Sequence, residues 1–139
     1  MTAIVVDASV VVGWYVEQAG SAMARRLALS ARRLIAPAWM LLEVGNALAR
    51  RSAGGGVRRG FAGDVIRSLR QRGVVALHDV EPLIVHASAL AEELAHPIYD
   101  CVYLALSQRE GAMLATFDRQ LAKLAQGQSI PLWAAEDPP

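Results

Sequence analysis

Four carboxylates stand where apolar runs end or helices begin: Asp7, Glu43, Asp100 and Asp118. Asp7 follows Ala3-Ile4-Val5-Val6, and Asp118 follows the run from Ala112 to Phe117. Glu43 lies inside Trp39-Met40-Leu41-Leu42-Glu43-Val44, and Asp100 opens a segment rich in Val, Tyr and Leu. Burying a carboxylate is costly unless something compensates it. Four acids beside core segments point to one shared compensator, a divalent cation. Oxygen donors without accompanying His or Cys suit a hard ion, Mg²⁺ or Mn²⁺. Such an ion turns water into a nucleophile and neutralises charge on a phosphate, so the set predicts a metal-dependent hydrolase.

Each acid also has a simpler reading. Asp7 and Asp118 are favoured N-caps for the segments that follow them, and Asp100 sits where a helix N-terminus welcomes negative charge. Glu43 shares a helical face with Asn46 and Arg50, which would make it part of a solvent stripe. Against this, Trp39, Met40, Leu42 and Val44 surround it, and Glu is rarely buried without a partner.

The elements that must position these groups alternate. Residues 3–6 read as a buried strand, and a helix runs from the Asp7-Ala8-Ser9 cap to about Tyr15. A second helix is expected over 20–32, a strand over 34–36 and a third helix over 38–51, stopped by Gly54-Gly55-Gly56. Then come a helix over 57–72 with Gly73 as its C-cap, a strand over 74–77, and an amphipathic helix over 82–95. His96-Pro97 breaks that helix. A helix over 99–110, a strand over 112–116, a short helix from Asp118 to Ala125 and an edge strand over 130–133 complete the order. Strands alternating with helices predict a three-layer α/β/α sandwich around a short central parallel sheet. Ligands of such sheets bind beyond the carboxyl ends of the strands, which is where Asp7 and Asp118 fall. Residues 1–135 read as one domain and 136–139 as a frayed tail.

The chain has 139 residues, 54% of them hydrophobic and 19% charged, with a net charge of +1. That describes a globular protein with no overall basic bias toward nucleic acid. The arginines are local instead: seven of them and a single acid, Asp64, lie between Arg50 and Arg72. Arg50, Arg59, Arg67 and Arg70 read either as a solvated face or as a phosphate-binding rim beside the acids. Cys101 is the single cysteine, which precludes an internal disulfide and suits a reducing cytoplasm. It reads as a small core residue. No basic leader precedes the first apolar run, and no uncharged stretch is long enough to span a membrane. A phosphate-cradling Gly-rich loop ending in Lys-Ser/Thr, a Gly-x-Ser-x-Gly elbow and zinc-ligand spacing of His and Cys are all missing.

In order and spacing, the acid-bearing segments resemble the PIN-domain nucleases, specifically the VapC-type toxins. The matching stretches are Val5-Val6-Asp7-Ala8-Ser9, Ala36-Pro37 with Glu43-Val44-Gly45-Asn46-Ala47-Leu48, Tyr99-Asp100-Cys101-Val102-Tyr103-Leu104-Ala105-Leu106, and Thr116-Phe117-Asp118. The resemblance implies a parallel sheet sandwiched by helices and Mg²⁺- or Mn²⁺-dependent cleavage of RNA. It makes Asp7, Glu43, Asp100 and Asp118 the catalytic, metal-holding quartet, with Ser9, Thr116 and Asn46 in support. It also implies a homodimer restrained by a small cognate antitoxin protein. Two other functions stay open on the sequence. One is a non-catalytic RNA- or protein-binding module, in which the acids are only caps. The other is a phosphohydrolase of the haloacid-dehalogenase type, which would want a second Asp where Ser9 stands.

Overall fold

The computed structural model describes residues 2–134; the C-terminal segment 136–139 lies outside them. Four short strands form one sheet: β1 (Ile4–Val6), β2 (Leu34–Pro37), β3 (Val75–His78) and β4 (Met113–Ala115). Their order is β3-β2-β1-β4, and every pairing is parallel. Ile4, Val5 and Val6 are wholly buried, as a β-branched run at the centre of a parallel sheet must be.

Seven α-helices cover the sheet: α1 (Ala8–Tyr15), α2 (Ser21–Leu29), α3 (Met40–Ala53), α4 (Phe61–Arg72), α5 (Ile84–Leu94), α6 (Ile98–Glu110) and α7 (Arg119–Gly127). Helix α1 packs against both α2 and α3, α4 lies against α3, and α5 lies against α6. Helix α6 is laid across β1, β2 and β4, and its residues Cys101–Ser107 are buried on every side. This is the expected α/β/α sandwich. No helix among the described residues is long and apolar enough to cross a membrane.

Topology places the acids. The chain builds β1, β2 and β3 outward in one direction, then returns to add β4 on the other side of β1. The direction of winding therefore reverses between β1 and β4, and their carboxyl ends open a crevice there. Asp7 leaves β1 at this edge, and its amide donates to the Ala115 carbonyl at the end of β4 (3.2 Å).

Helix α2 stops at Leu29 rather than near residue 32, because Ser30 turns to extended backbone, and three further boundaries differ from the sequence reading. Helix α4 begins at Phe61, because Gly60 adopts φ +90° and turns the chain just before it. The amphipathic segment begins as a 3₁₀ turn at Glu81–Leu83 before α5. The 130–133 edge strand is reduced to one parallel bridge between Leu114 and Leu132. Pro131 lends its carbonyl to the Leu114 amide (2.9 Å) but has no N–H with which to extend a ladder.

Candidate active site

Asp7 is both a helix cap and a buried acid. It is 5% exposed and ends β1 in extended backbone, so that Oδ1 accepts from the Val10 amide (3.3 Å) at the start of α1. The Ser9 hydroxyl donates to the same oxygen, and the Thr116 hydroxyl donates to Oδ2. Ser9 Oγ in turn accepts from the Phe117 amide (3.0 Å), and Thr116 Oγ1 accepts from the Asp118 amide (2.9 Å). Two hydroxyls thus knit the end of β1 to the segment after β4. Burial pushes the Asp7 carboxyl up to about 6, although the Ser9, Thr116 and Val10 hydrogen bonds pull it down.

Glu43 comes from the first turn of α3, the helix that follows β2. Its Oε1 is buried and accepts no hydrogen bond. The Tyr103 hydroxyl from α6 is close enough to favour ionisation of Glu43, yet it too lacks a well-aligned partner. Burial pushes the Glu43 carboxyl up to about 7, and the charges of Asp100, Asp7 and Asp118 push in the same direction. The same burial, with Glu43 beside it, drives the Tyr103 hydroxyl far above its ordinary range, so it stays a proton donor.

The other two acids stand at helix starts. Asp118 is exposed and caps α7, accepting from the Gln120 and Leu121 amides (2.9 and 3.1 Å) through Oδ1 alone. Asp100 lies in the first turn of α6, with Oδ2 2.7 Å from His96 Nε2. The four acids share one electrostatic neighbourhood, since Glu43 feels the other three. They do not form a closed cage: among the described residues, no three His, Cys, Asp or Glu side chains are close enough to hold an ion. The donor set nevertheless fits a hard divalent cation. It is all oxygen, it is crowded with like charge, and one buried oxygen has nothing else to bind.

Ser9 and Thr116 both bond the Asp7 carboxylate. Asn46 is exposed on α3, and among the described residues no side-chain hydrogen bond joins it to an acid. Arg50 lines a cavity with Ala47 and Arg51. Arg67 pairs with Asp64, as does Arg58, and Arg67 and Arg70 line a separate depression with Gln71. Arg59 falls in the turn before α4. The cleft bounded by Glu43 is instead walled by Ser9, Val12, Gln18, Ala47 and Arg51.

Four contributors escaped the sequence reading: His96, Tyr103, Gln18 and Arg51. His96 was legible as an i, i+4 partner of Asp100 once Pro97 is taken as the N-terminus of α6 rather than as a break. Arg51 was legible from helical phase. At about 100° per residue, Ala47 and Arg51 lie about 40° and 80° from Glu43, on the side of buried Val44 and Leu48. Asn46 and Arg50 lie about 60° and 20° the other way, toward water.

A parallel α/β/α sandwich with Asp7 and Asp118 at the switch between β1 and β4, and with Glu43 within electrostatic reach of both, defines a class, and the matches agree with it. The PIN domain family model matches residues 4–127, and the chain belongs to that family. Within it the likeness is to VapC proteins. The chain is 31% identical over 121 residues to Ribonuclease VapC3 of Pyrobaculum aerophilum, covering 86% of this chain and 92% of that one. Two solved structures share the fold. PAE2754 of Pyrobaculum aerophilum has a TM-score of 0.70 at 23% identity, over 91% of this chain and 81% of its own. VapC20 of Mycobacterium tuberculosis, a toxin that cleaves the sarcin-ricin loop, has a TM-score of 0.69 at 22% identity, over 87% of this chain and 94% of its own.

Proposed function

We propose that the chain is an endoribonuclease that hydrolyses RNA phosphodiester bonds with Mg²⁺ or Mn²⁺ held by Asp7, Glu43, Asp100 and Asp118, and that it is the toxin of a toxin–antitoxin pair. The observation that carries this reading is the buried, unpartnered Glu43 Oε1, placed where three other carboxylates act on it. A helix cap or a solvent stripe has no use for such an oxygen.

The bound cation would supply a water of lowered pKa and positive charge for the scissile phosphate. The rest falls to the chain's own groups. Ser9 and Thr116 fix both Asp7 oxygens, so the acid meets its ligand without searching rotamers. His96 holds Asp100 by one oxygen and leaves the other free, and the two α7 amides do the same for Asp118. The Tyr103 hydroxyl favours the ionised form of Glu43 and keeps its own proton.

The VapC likeness supports three further parts of the reading: a small antitoxin protein that restrains the enzyme, a homodimer, and a cytoplasmic site of action, where RNA is met. The test is incubation of purified chain with total cellular RNA, with Mn²⁺ and then with EDTA. The expected result is discrete cleavage that EDTA abolishes and added Mn²⁺ restores. Cleavage that survives EDTA, or none with either ion, would overturn the proposal.

A further inference from the structure

We infer that Arg51, held by Gln18 at the wall of the acidic cleft, is a binding site for a backbone phosphate of a single-stranded RNA, the one flanking the phosphate that is cut. The inference rests on reading the acids as a nuclease centre.

Four acids alone repel a polyanion. The strand needs a cation within the cleft to receive it, and no overall basic charge supplies one, since the net charge is only +1. Among the described residues Arg51 is the arginine that shares a cleft wall with Glu43, in a space of about 310 Å³. It is half-buried. Arg51 Nη2 donates to Gln18 Oε1 (2.8 Å), and Gln18 Nε2 donates to the Ser9 carbonyl (3.3 Å). The guanidinium is thereby tied to the same residue whose hydroxyl orients Asp7.

Arg51 is not spent on the acids. None of the ion pairs among the described residues involves it, so the remaining donors of its planar fork are available. A fork of N–H donors beside but not bonded to carboxylates matches a phosphate, which takes it bidentately. Arg51 lies eight residues beyond Glu43 on α3, about 12 Å along the helix axis. That rise separates the backbone positions only; the guanidinium, tied back through Gln18 to Ser9, stands in the Glu43 cleft without pairing with a carboxylate, which suits a phosphate next to the one at the acids. The cleft wall formed by Ala47 and Arg51 also bounds a second cavity of about 440 Å³, which Arg50 lines. A strand leaving the acids would therefore pass Arg51 and then Arg50.

The test is steady-state cleavage of a short single-stranded RNA oligonucleotide, together with its binding by fluorescence anisotropy, over a range of salt concentrations. Arg51→Ala is expected to raise KM about 10- to 100-fold with kcat within about threefold, because a charge-assisted phosphate contact is lost while the reacting atoms are untouched. The slope of log(kcat/KM) against log salt should fall by about 0.7, the value for one single-strand phosphate. Arg51→Lys should keep that slope and lose less affinity. Gln18→Ala should also keep it, with a smaller rise in KM; these two variants carry the test if Arg51→Ala does not fold. Arg26→Ala, on the exposed face of α2, should match the wild type. Unchanged KM and slope in a folded Arg51→Ala protein would overturn the assignment. So would a fall in kcat alone, or altered response to a purified protein inhibitor with RNA kinetics intact. If the wild type cleaves no RNA, the nuclease reading fails. Anisotropy still decides Arg51 in that case: weaker, less salt-dependent binding in Arg51→Ala supports the phosphate site, and unchanged binding refutes it.

Discussion

The Asp7 carboxylate accepts from two hydroxyls and a backbone amide, whereas Glu43 Oε1, also buried, accepts nothing. Burial is the leading cause of late ionisation in both. The difference lies in what the fold provides once the charge is present. Asp7 serves the fold, as a cap and as a tie between β1 and the segment after β4. Glu43 is a local misfit there, a carboxylate whose buried Oε1 accepts no well-aligned hydrogen bond even though the Tyr103 hydroxyl lies close. A residue that weakens the empty fold and would complete a ligand's shell marks function more sharply than one that does both jobs.

Activity gives the largest expected effect and should erase the contrast. Asp7→Asn and Glu43→Gln each remove a proposed ligand, and each should lower the rate of RNA cleavage by about 10³-fold or more, several kcal/mol of transition-state stabilisation. Single-turnover assays on a labelled oligonucleotide with saturating Mn²⁺ would measure it. A Glu43→Gln protein within tenfold of wild type would remove Glu43 from the site.

The dependence of stability on pH comes next. The folded-state pKa values lie above the ordinary ones, from 3.8 to about 6 for Asp7 and from 4.5 to about 7 for Glu43. Between those limits the folded protein holds protons that the unfolded chain has released. Stability is therefore greatest at the acid side and is lost as pH rises from about 4 through about 7. For Asp7 the loss is at most about 3 kcal/mol. Glu43 adds in the same direction, by an amount that its partial contact with water reduces. Mn²⁺ competes with these protons, so it should raise the melting temperature by several degrees at pH 8 and far less at pH 5. Scanning calorimetry across pH, with and without Mn²⁺, checks both signs; an ion effect that is larger at pH 5 would contradict the account.

The smallest effect isolates the capping role. At pH 5 Glu43 is mostly protonated and Asp7 predominantly so, so charge burial contributes little to the comparison. Asp7→Ala then still loses the α1 cap and strands the Ser9 and Thr116 hydroxyls, and should cost about 1–3 kcal/mol in chemical denaturation. Glu43→Gln should be close to neutral at pH 5 and stabilising at pH 8. Equal losses from the two variants at pH 5 would mean that the fold needs both acids alike.

Much of this arrangement is legible in the sequence, for local reasons. A β-branched run followed by Asp-Ala-Ser can hardly be other than a buried strand entering a capped helix, and Gly73 and Gly111 close α4 and α6 where left-handed backbone is needed. What was not legible depended on phase and on distant neighbours. Glu43 sits at the edge between the wet and buried faces of α3. Its i, i+3 and i, i+7 spacings to Asn46 and Arg50 suggest a shared face, while packing turns the cleft toward Ala47 and Arg51. The Tyr103 hydroxyl under Glu43 is a contact between α6 and α3 that no local pattern encodes. The arginines of α4 look like a rim in sequence, but Asp64 draws Arg58 and Arg67 into its own surface cluster.

Anomalous diffraction from crystals grown with Mn²⁺ tests the central claim most directly. The expected result is a manganese peak beside Asp7 and Glu43, with an oxygen of each within the range of hard-cation bonds, about 2.0–2.6 Å, and with Asp100 and Asp118 facing it directly or through water. A map with no peak between Asp7 and Glu43, while Glu43 Oε1 remains buried and unpartnered, would contradict it.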